Sequence, residues 1–319
     1  MNHRALGRSG LRISPVGLGG VELGGGDTAR GEPSLEVAVG AVSAALEAGV
    51  NWLDTAEAYH ETRNESFIGE VLRKVGGGDG LLLSTKLLPE PDGTGFRPEQ
   101  VRAGCLASLD RLGRNRIDIY LLHEPDETGV PLEETWGAMG ELVEEGLVRA
   151  IGLSNYAIGD VERCNALRAV DLVQDGLSLV DHLENRSAFV RCRELGIGVV
   201  VYEPLGSGTL SGRSIDEIRE EWAEWSEFGF YKRLLAGETG DKSAALVAAL
   251  RAIAEQYAGS VPQLAITWVL RQDGVTAAVA GSRNPQHVRA NAQAACLDLP
   301  ESALARLEAL IALGPTIST

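Results

Sequence analysis

Val50-Asn51-Trp52-Leu53-Asp54-Thr55-Ala56-Glu57-Ala58-Tyr59 begins as a buried strand and breaks at Asp54 into a polar loop that ends on a phenol. An acid and a phenol therefore stand together at the end of one strand. A free phenol has a pKa of about 10, and a neighbouring cation lowers it, so an aspartate, a tyrosine and a basic residue can together make a proton donor usable near neutrality. Taken alone, the pair also fits a helix-capping aspartate and a half-buried surface tyrosine. What decides between them is whether the unit carrying Asp54 recurs.

It recurs along the chain. Ser34 is placed to cap a helix running to about Ala48, with Leu35, Val39, Val42 and Leu46 on one face and Gly49 ending it. Apolar strand-like runs follow at 50–53, 81–83, 117–122, 148–153, 172–173, 198–201 and 277–280, most of them separated by helical patterns, and a first strand near 16–19 brings the number to eight. Runs that are apolar without clean alternation suit a parallel sheet buried on both faces, and eight such units predict a closed (β/α)8 barrel, with a doubly wound sheet as the other arrangement. Residues 1–319 are read as one barrel domain. Residues 5–16 predict a short hairpin turning near Ser9-Gly10 that plugs one end of the barrel. Gly17-Leu18-Gly19-Gly20-Val21-Glu22-Leu23-Gly24 is not a dinucleotide fingerprint, because Glu22 stands where the third glycine belongs and no helix is expected to open there. Its glycines instead suit a close approach of backbone to a ligand.

The residues at the ends of the apolar runs are Asp54, Lys86, His123, Ser154-Asn155, Gln174, Tyr202 and Gly281-Ser282-Arg283. In a parallel barrel these positions converge on one cavity at the C-terminal rim. Each alone has an ordinary reading, a snorkelling lysine or a satisfied core histidine, but seven in succession are hard to explain that way. Lys86, one unit after Asp54, is the cation sought: paired with Asp54, it is expected to lower the pKa of Tyr59. His123 would reach in from the next strand to orient a substrate carbonyl.

The composition narrows the function. With 29 basic against 45 acidic residues, a net charge of −16 repels nucleic acid and anionic membranes, and no apolar run is long enough to span a bilayer. The partner expected is a small molecule, with no nucleic acid and no membrane. The first residues lack the apolar segment of a secretory signal, so a cytoplasmic location is expected. Cys105, Cys164, Cys192 and Cys296 have no metal-binding spacing and are read as structural, and no metal is expected.

The ordered set Leu6-Gly7-Arg8-Ser9-Gly10-Leu11, Asp54-Thr55-Ala56-Glu57-Ala58-Tyr59, Asn64-Glu65, Ile68-Gly69, Ser84-Thr85-Lys86, Tyr120-Leu121-Leu122-His123, Ile151-Gly152-Leu153-Ser154-Asn155, Tyr202-Glu203-Pro204-Leu205-Gly206 and Gly281-Ser282-Arg283-Asn284-Pro285 resembles the aldo-keto reductase superfamily over nearly the whole chain. The resemblance implies a (β/α)8 barrel with a long loop over the cofactor and NADPH/NADP+ bound without a Rossmann domain. It also implies reversible reduction of an aldehyde or ketone by the tetrad Asp54, Tyr59, Lys86 and His123. It places Ser154, Asn155 and Gln174 on the nicotinamide carboxamide and Tyr202 against the ring. Pro204, Leu205, Gly206 and Arg213 would lie over the pyrophosphate, and Gly20, Val21 and Asp54 would join the cofactor-lining set. Gly281, Ser282, Arg283, His287 and Asn291 would hold the adenosine end, with Asn284 capping a helix that starts at Pro285 and Arg283 reading the 2′-phosphate. Two positions depart from the family pattern: Leu177 stands where many relatives have tyrosine, and Ala290 where many have glutamate. A regulatory subunit that senses the cofactor is the alternative to an enzyme.

Substrate choice is expected to lie in the rim loops 87–97 and 124–130 and the insertion 207–242. In that insertion Trp222, Trp225, Phe228, Phe230 and Tyr231 are read either as a lid or as a helix packed on the barrel.

Overall fold

A two-residue period runs through the strands and sorts the chain into an inside and an outside. In the computed structural model, which describes residues 1–25, 31–76, 78–90, 94–223, 226, 229–257 and 259–312, a hairpin of β1 (Arg4–Ala5) and β2 (Arg12–Ile13) precedes eight parallel strands. These are β3 (Val16–Gly19), β4 (Trp52–Asp54), β5 (Leu82–Leu87), β6 (Ile117–Leu122), β7 (Val148–Ser154), β8 (Leu172–Gly176), β9 (Gly198–Tyr202) and β10 (Ala277–Gly281). They close into a barrel in the order β10-β3-β4-β5-β6-β7-β8-β9, so the doubly wound arrangement is excluded.

Trp52, Ile119, Leu121, Ala150, Leu172, Val200, Ala277 and Val279 form one buried cluster with Leu6, Leu11 and Ile13 of the hairpin. Their alternate neighbours Leu53, Tyr120, Leu122, Ile151, Leu153, Val173, Val199, Val201, Ala278 and Ala280 belong to the clusters shared with the surrounding helices. Both faces of each strand are thus apolar, which is why the sequence shows runs and not alternation. The hairpin seals the barrel's N-terminal end with its three apolar side chains. Trp52 fits beneath it because β3 presents Gly17, where an added Cβ would lie 2.3 Å from the indole, and its Nε1–H donates to the Ser14 carbonyl at 2.9 Å.

Three expectations are corrected. β5 and β8 run past the predicted ends at 83 and 173, so Lys86 and Gln174 lie within strands and do not follow them; reading only apolar runs as strand misses polar residues that are paired inside the barrel, here both on Asp54. The helix Leu35–Glu47, capped by Ser34, buries Ala38, Ala41, Val42, Ala44 and Ala45, while Leu35, Val39 and Leu46 are only partly covered. Small side chains bring this helix close to the barrel and leave the larger ones at its edges. A one-turn 3-10 helix, Val21–Leu23, does open in the glycine-rich stretch, with Gly20 donating to the Asp54 carbonyl at 2.7 Å. Among the described residues, no helix is long and apolar enough to cross a membrane. Cys105, Cys164 and Cys192 are buried, whereas Cys296 is exposed.

Candidate active site

Continuing the inward-facing register two residues past the apolar interior layer yields the polar layer of the site. Trp52 leads to Asp54, Leu121 to His123, Leu172 to Gln174, Val200 to Tyr202 and Val279 to Gly281; on β7, Ala150 leads through Gly152 to Ser154. The period that packs the core therefore also aims these side chains into one space. That space is a cavity of about 1100 Å³.

At its floor Lys86, 1% exposed, donates to Asp54 Oδ2 at 2.6 Å, to the Thr55 carbonyl at 2.8 Å and to the Tyr59 hydroxyl at 3.3 Å. Asp54 Oδ1 accepts from Ser84 Oγ at 2.7 Å and from Gln174 Nε2 at 3.0 Å. Burial alone would lower the Lys86 pKa, but Asp54 and then Tyr59 outweigh it and the value rises above 10.5, so the ammonium is kept. The expectation for Tyr59 is corrected in sign. Burial raises its pKa above 10.0 more than the field and hydrogen bond of Lys86 lower it, and the phenol is protonated at neutral pH. His123 meets the Tyr59 ring edge-on, with centroids 5.8 Å apart and planes at 77°. Its pKa is lowered to about 4 by burial and then by Lys86, so the imidazole is neutral, and among the described residues its Nδ1 is buried without a partner.

A second network fixes the wall. Asn155 has left-handed backbone (φ 65°), donates through Nδ2 to the His123 carbonyl at 3.0 Å and to Ser154 Oγ at 3.2 Å, and accepts from the Tyr202 hydroxyl at 2.8 Å. Its own N–H donates to Asp175 Oδ1 at 3.0 Å. Burial pushes the Asp175 carboxyl up to about 7 against that hydrogen bond. Tyr202 is further held by the edge of His182, 6.1 Å away at 72°.

Gly20, Val21, Pro204, Leu205, Arg213, Gly281, Ser282, Arg283, His287 and Asn291 line the same cavity. Two of the expected site residues do not line it. Lys86 lies beneath it, and Gly206 is buried at φ 53°, where an added Cβ would lie 2.5 Å from Val180. Arg213 pairs with Glu221 at 2.5 Å, yet its Nε and Nη2 are buried without a partner among the described residues, which suits an anion such as a pyrophosphate. Asn284 caps the helix Pro285–Gln293 by accepting from Gln286 N at 2.9 Å, and Arg283 donates to the Gly31 carbonyl at 2.8 Å.

Sequence reading missed the brace behind the Tyr59 loop. His60, Glu61 and Thr62 are all left-handed, at φ 51°, 55° and 71°, and each such residue costs about 1–2 kcal/mol. Asn64 holds the loop in place by donating to the Gly20 carbonyl at 3.0 Å and the Gly24 carbonyl at 2.5 Å and accepting from Thr55 Oγ1 at 2.5 Å. Glu65, fully buried, accepts from Arg111 at 2.6 Å and from Thr85, next to Lys86, at 2.5 Å. Glu203, Arg251, Glu255 and Gln263 also line the cavity and carried no signal beyond being polar.

The family model described as "Aldo/keto reductase family" matches residues 15–312. The chain belongs to the aldo/keto reductase family. Among similar proteins, a "Probable aldo-keto reductase 1" of Glycine max is 31% identical over 97% of this chain and 88% of its own length. An "NADH-specific methylglyoxal reductase" of Escherichia coli (strain K12) is 27% identical over 93% of this chain and 94% of its own. Two solved structures share the fold: a glycerol dehydrogenase from Gluconobacter oxydans (TM-score 0.84, 23% identity, 100% of this chain and 97% of that one) and an aldo-keto reductase from Bacillus halodurans in its holo form (TM-score 0.76, 26% identity, 97% and 96%). Within this family member, Leu177 is a fully buried core residue and Ala290 lines the cavity. Trp222 both packs on the core and lines the cavity, and Tyr231 packs on the core. Trp225, Phe228 and the side chain of Phe230 lie outside the described residues.

Proposed function

We propose that this one-domain barrel reduces an aldehyde or ketone to an alcohol with NADPH, reversibly, with Tyr59 as the proton donor. The observation that carries the reading is the Lys86 ammonium, whose donors are divided among Asp54, the Thr55 carbonyl and the Tyr59 hydroxyl on the cavity floor. A bound nicotinamide would supply the hydride. The chain's own work is the rest. Ser154, Asn155 and Gln174 would bind the carboxamide, Tyr202 would offer its ring as a platform, and Arg213 would meet the pyrophosphate with its orphaned donors. Neutral His123 would hydrogen-bond and orient the carbonyl oxygen, and Tyr59 would give that oxygen its proton, leaving a tyrosinate beside Lys86. A test is to mix enzyme carrying prebound NADPH with a panel of aldehydes and ketones. Rapid oxidation of the bound cofactor is expected, and silence across the panel with tight binding retained would favour a cofactor-binding role without turnover.

The cofactor preference needs separate support, because the Escherichia coli relative is NADH-specific. Arg283 lines the cavity at the start of a capped helix, beside the Ser282 hydroxyl, an arrangement suited to a 2′-phosphate. Arg283→Ala is expected to weaken NADPH binding by about 1.5–3 kcal/mol and to leave NADH binding nearly unchanged, as read by calorimetric titration. Equal losses for both cofactors would place Arg283 with structure or pyrophosphate instead.

A further inference from the structure

In the inward register of β8, Gly176 stands two residues past Gln174, with its Cα paired to that of Tyr202 on β9. Its missing side chain leaves a space that the His182 ring fills: a Cβ added at Gly176 would lie 2.5, 2.8 and 3.0 Å from Cδ2, Cγ and Nε2 of that ring. The segment between them is wound to bring the ring there. Ser178 Oγ accepts from the Val180 and Asp181 N–H groups at 3.2 and 3.0 Å, Asn185 Nδ2 donates to the Gly176 carbonyl at 2.9 Å, and His182 takes left-handed backbone at φ 60°. Asp181, 5% exposed, anchors it, accepting from the His182 N–H at 3.0 Å and from Arg233 at 3.1 Å. From this seat the imidazole meets the Tyr202 ring edge-on, with centroids 6.1 Å apart and planes at 72°.

The hydrogen bond from the Tyr202 hydroxyl to Asn155 Oδ1 at 2.8 Å fixes one end of the side chain but not the plane of its ring, because that oxygen lies on the axis about which the ring turns. A stacking platform depends on that plane. We propose that His182 is a positioning residue that sets the ring plane of Tyr202, and with it the seat of the nicotinamide, and that Gly176 is what admits the imidazole to this place. The proposal rests on Tyr202 being the nicotinamide platform.

The test compares, by calorimetric titration of the full chain, the affinity for NADPH with that for 2′,5′-ADP, which has the adenosine end and no nicotinamide. Two variants act on the contact from opposite sides. Gly176→Ala puts a methyl group where the His182 ring lies, and His182→Asn removes the ring while keeping a residue that tolerates left-handed backbone. Each is expected to lower the ratio of NADPH to 2′,5′-ADP affinity about tenfold, the upper scale of one aromatic contact, and neither should lower it further once Tyr202→Leu is present. Taking the ratio cancels any loss common to both ligands, such as a general loosening of the barrel. If Tyr202→Leu lowers the ratio but either variant leaves it unchanged, or if the losses add to that of Tyr202→Leu, the role of His182 is overturned and the platform stands. If Tyr202→Leu itself leaves the ratio unchanged, Tyr202 is not the platform, and this proposal falls with it.

Discussion

Tyr59→Phe is expected to lower carbonyl reduction about 10³-fold or more, the scale of a lost general acid, while NADPH affinity stays nearly unchanged. The substitution removes one hydroxyl, which accepts from Lys86 at 3.3 Å, and keeps the ring that meets His123 edge-on at 5.8 Å. A loss confined to turnover therefore identifies the proton donor and not a packing defect. The pH profile provides a companion result. Because burial holds the Tyr59 pKa above 10.0 despite Lys86, the acid stays protonated through the neutral range, and kcat/KM for reduction should be flat there and fall only at alkaline pH. His123, held at about 4 by burial and then by Lys86, should add no inflection at 6.5. An inflection there, lost in a His123 variant, would move the proton to the imidazole.

Replacing Lys86 by methionine is expected to cost stability as well as activity. The methionine fills a comparable volume, but Asp54, 4% exposed, is then left with only the Ser84 and Gln174 donors at 2.7 and 3.0 Å and no counter-ion. Breaking a buried pair from one side costs about 3–5 kcal/mol, readable as a lower midpoint in urea at constant slope. Adding Asp54→Asn removes the stranded charge, so the double variant should recover much of that loss and none of the activity. Equal stability of the single and double variants would mean that the pair contributes little and that Lys86 serves Tyr59 alone. The pH window follows from the raised Lys86 pKa. The pair's contribution is fully present below 10.5, the value in an unfolded chain, and is lost only as the pH rises through the higher folded value, so the destabilisation should be constant across neutral pH.

Much of this architecture is legible in the residues, and what is not has a physical cause. Eight apolar runs can be read because both strand faces are buried, and the polar residue that follows Trp52 or Leu121 in the inward register is conspicuous against them. The same rule truncates β5 and β8, since Ser84, Lys86 and Gln174 reach Asp54 and Thr85 reaches Glu65, and so they do not look like strand. The sign of the Tyr59 shift could not be read from neighbours in sequence, because it depends on how much burial opposes one cation. Asn64 and Glu65 open a helix and would ordinarily be solvated; only the fold brings the Gly20 and Gly24 carbonyls, Thr85 and Arg111 to them. Of the face read at Leu35, Val39, Val42 and Leu46, Val42 is buried and the other three pack at the edge of the core, because close approach of the helix to the barrel favours alanine at the contact.

The central claim is that a carbonyl carbon is held in the cavity above Tyr59 to receive hydride while the phenol supplies the proton. It is tested most directly by following the label from NADPH deuterated at the transferred position of the nicotinamide C4 through a single turnover with an aldehyde that the enzyme consumes. The account predicts one deuterium bonded to the carbinol carbon for each cofactor oxidised, in the wild type and, far more slowly, in Tyr59→Phe. An alcohol formed without carbon-bound deuterium, or a Tyr59→Phe variant that transfers deuterium at the wild-type rate, would contradict it.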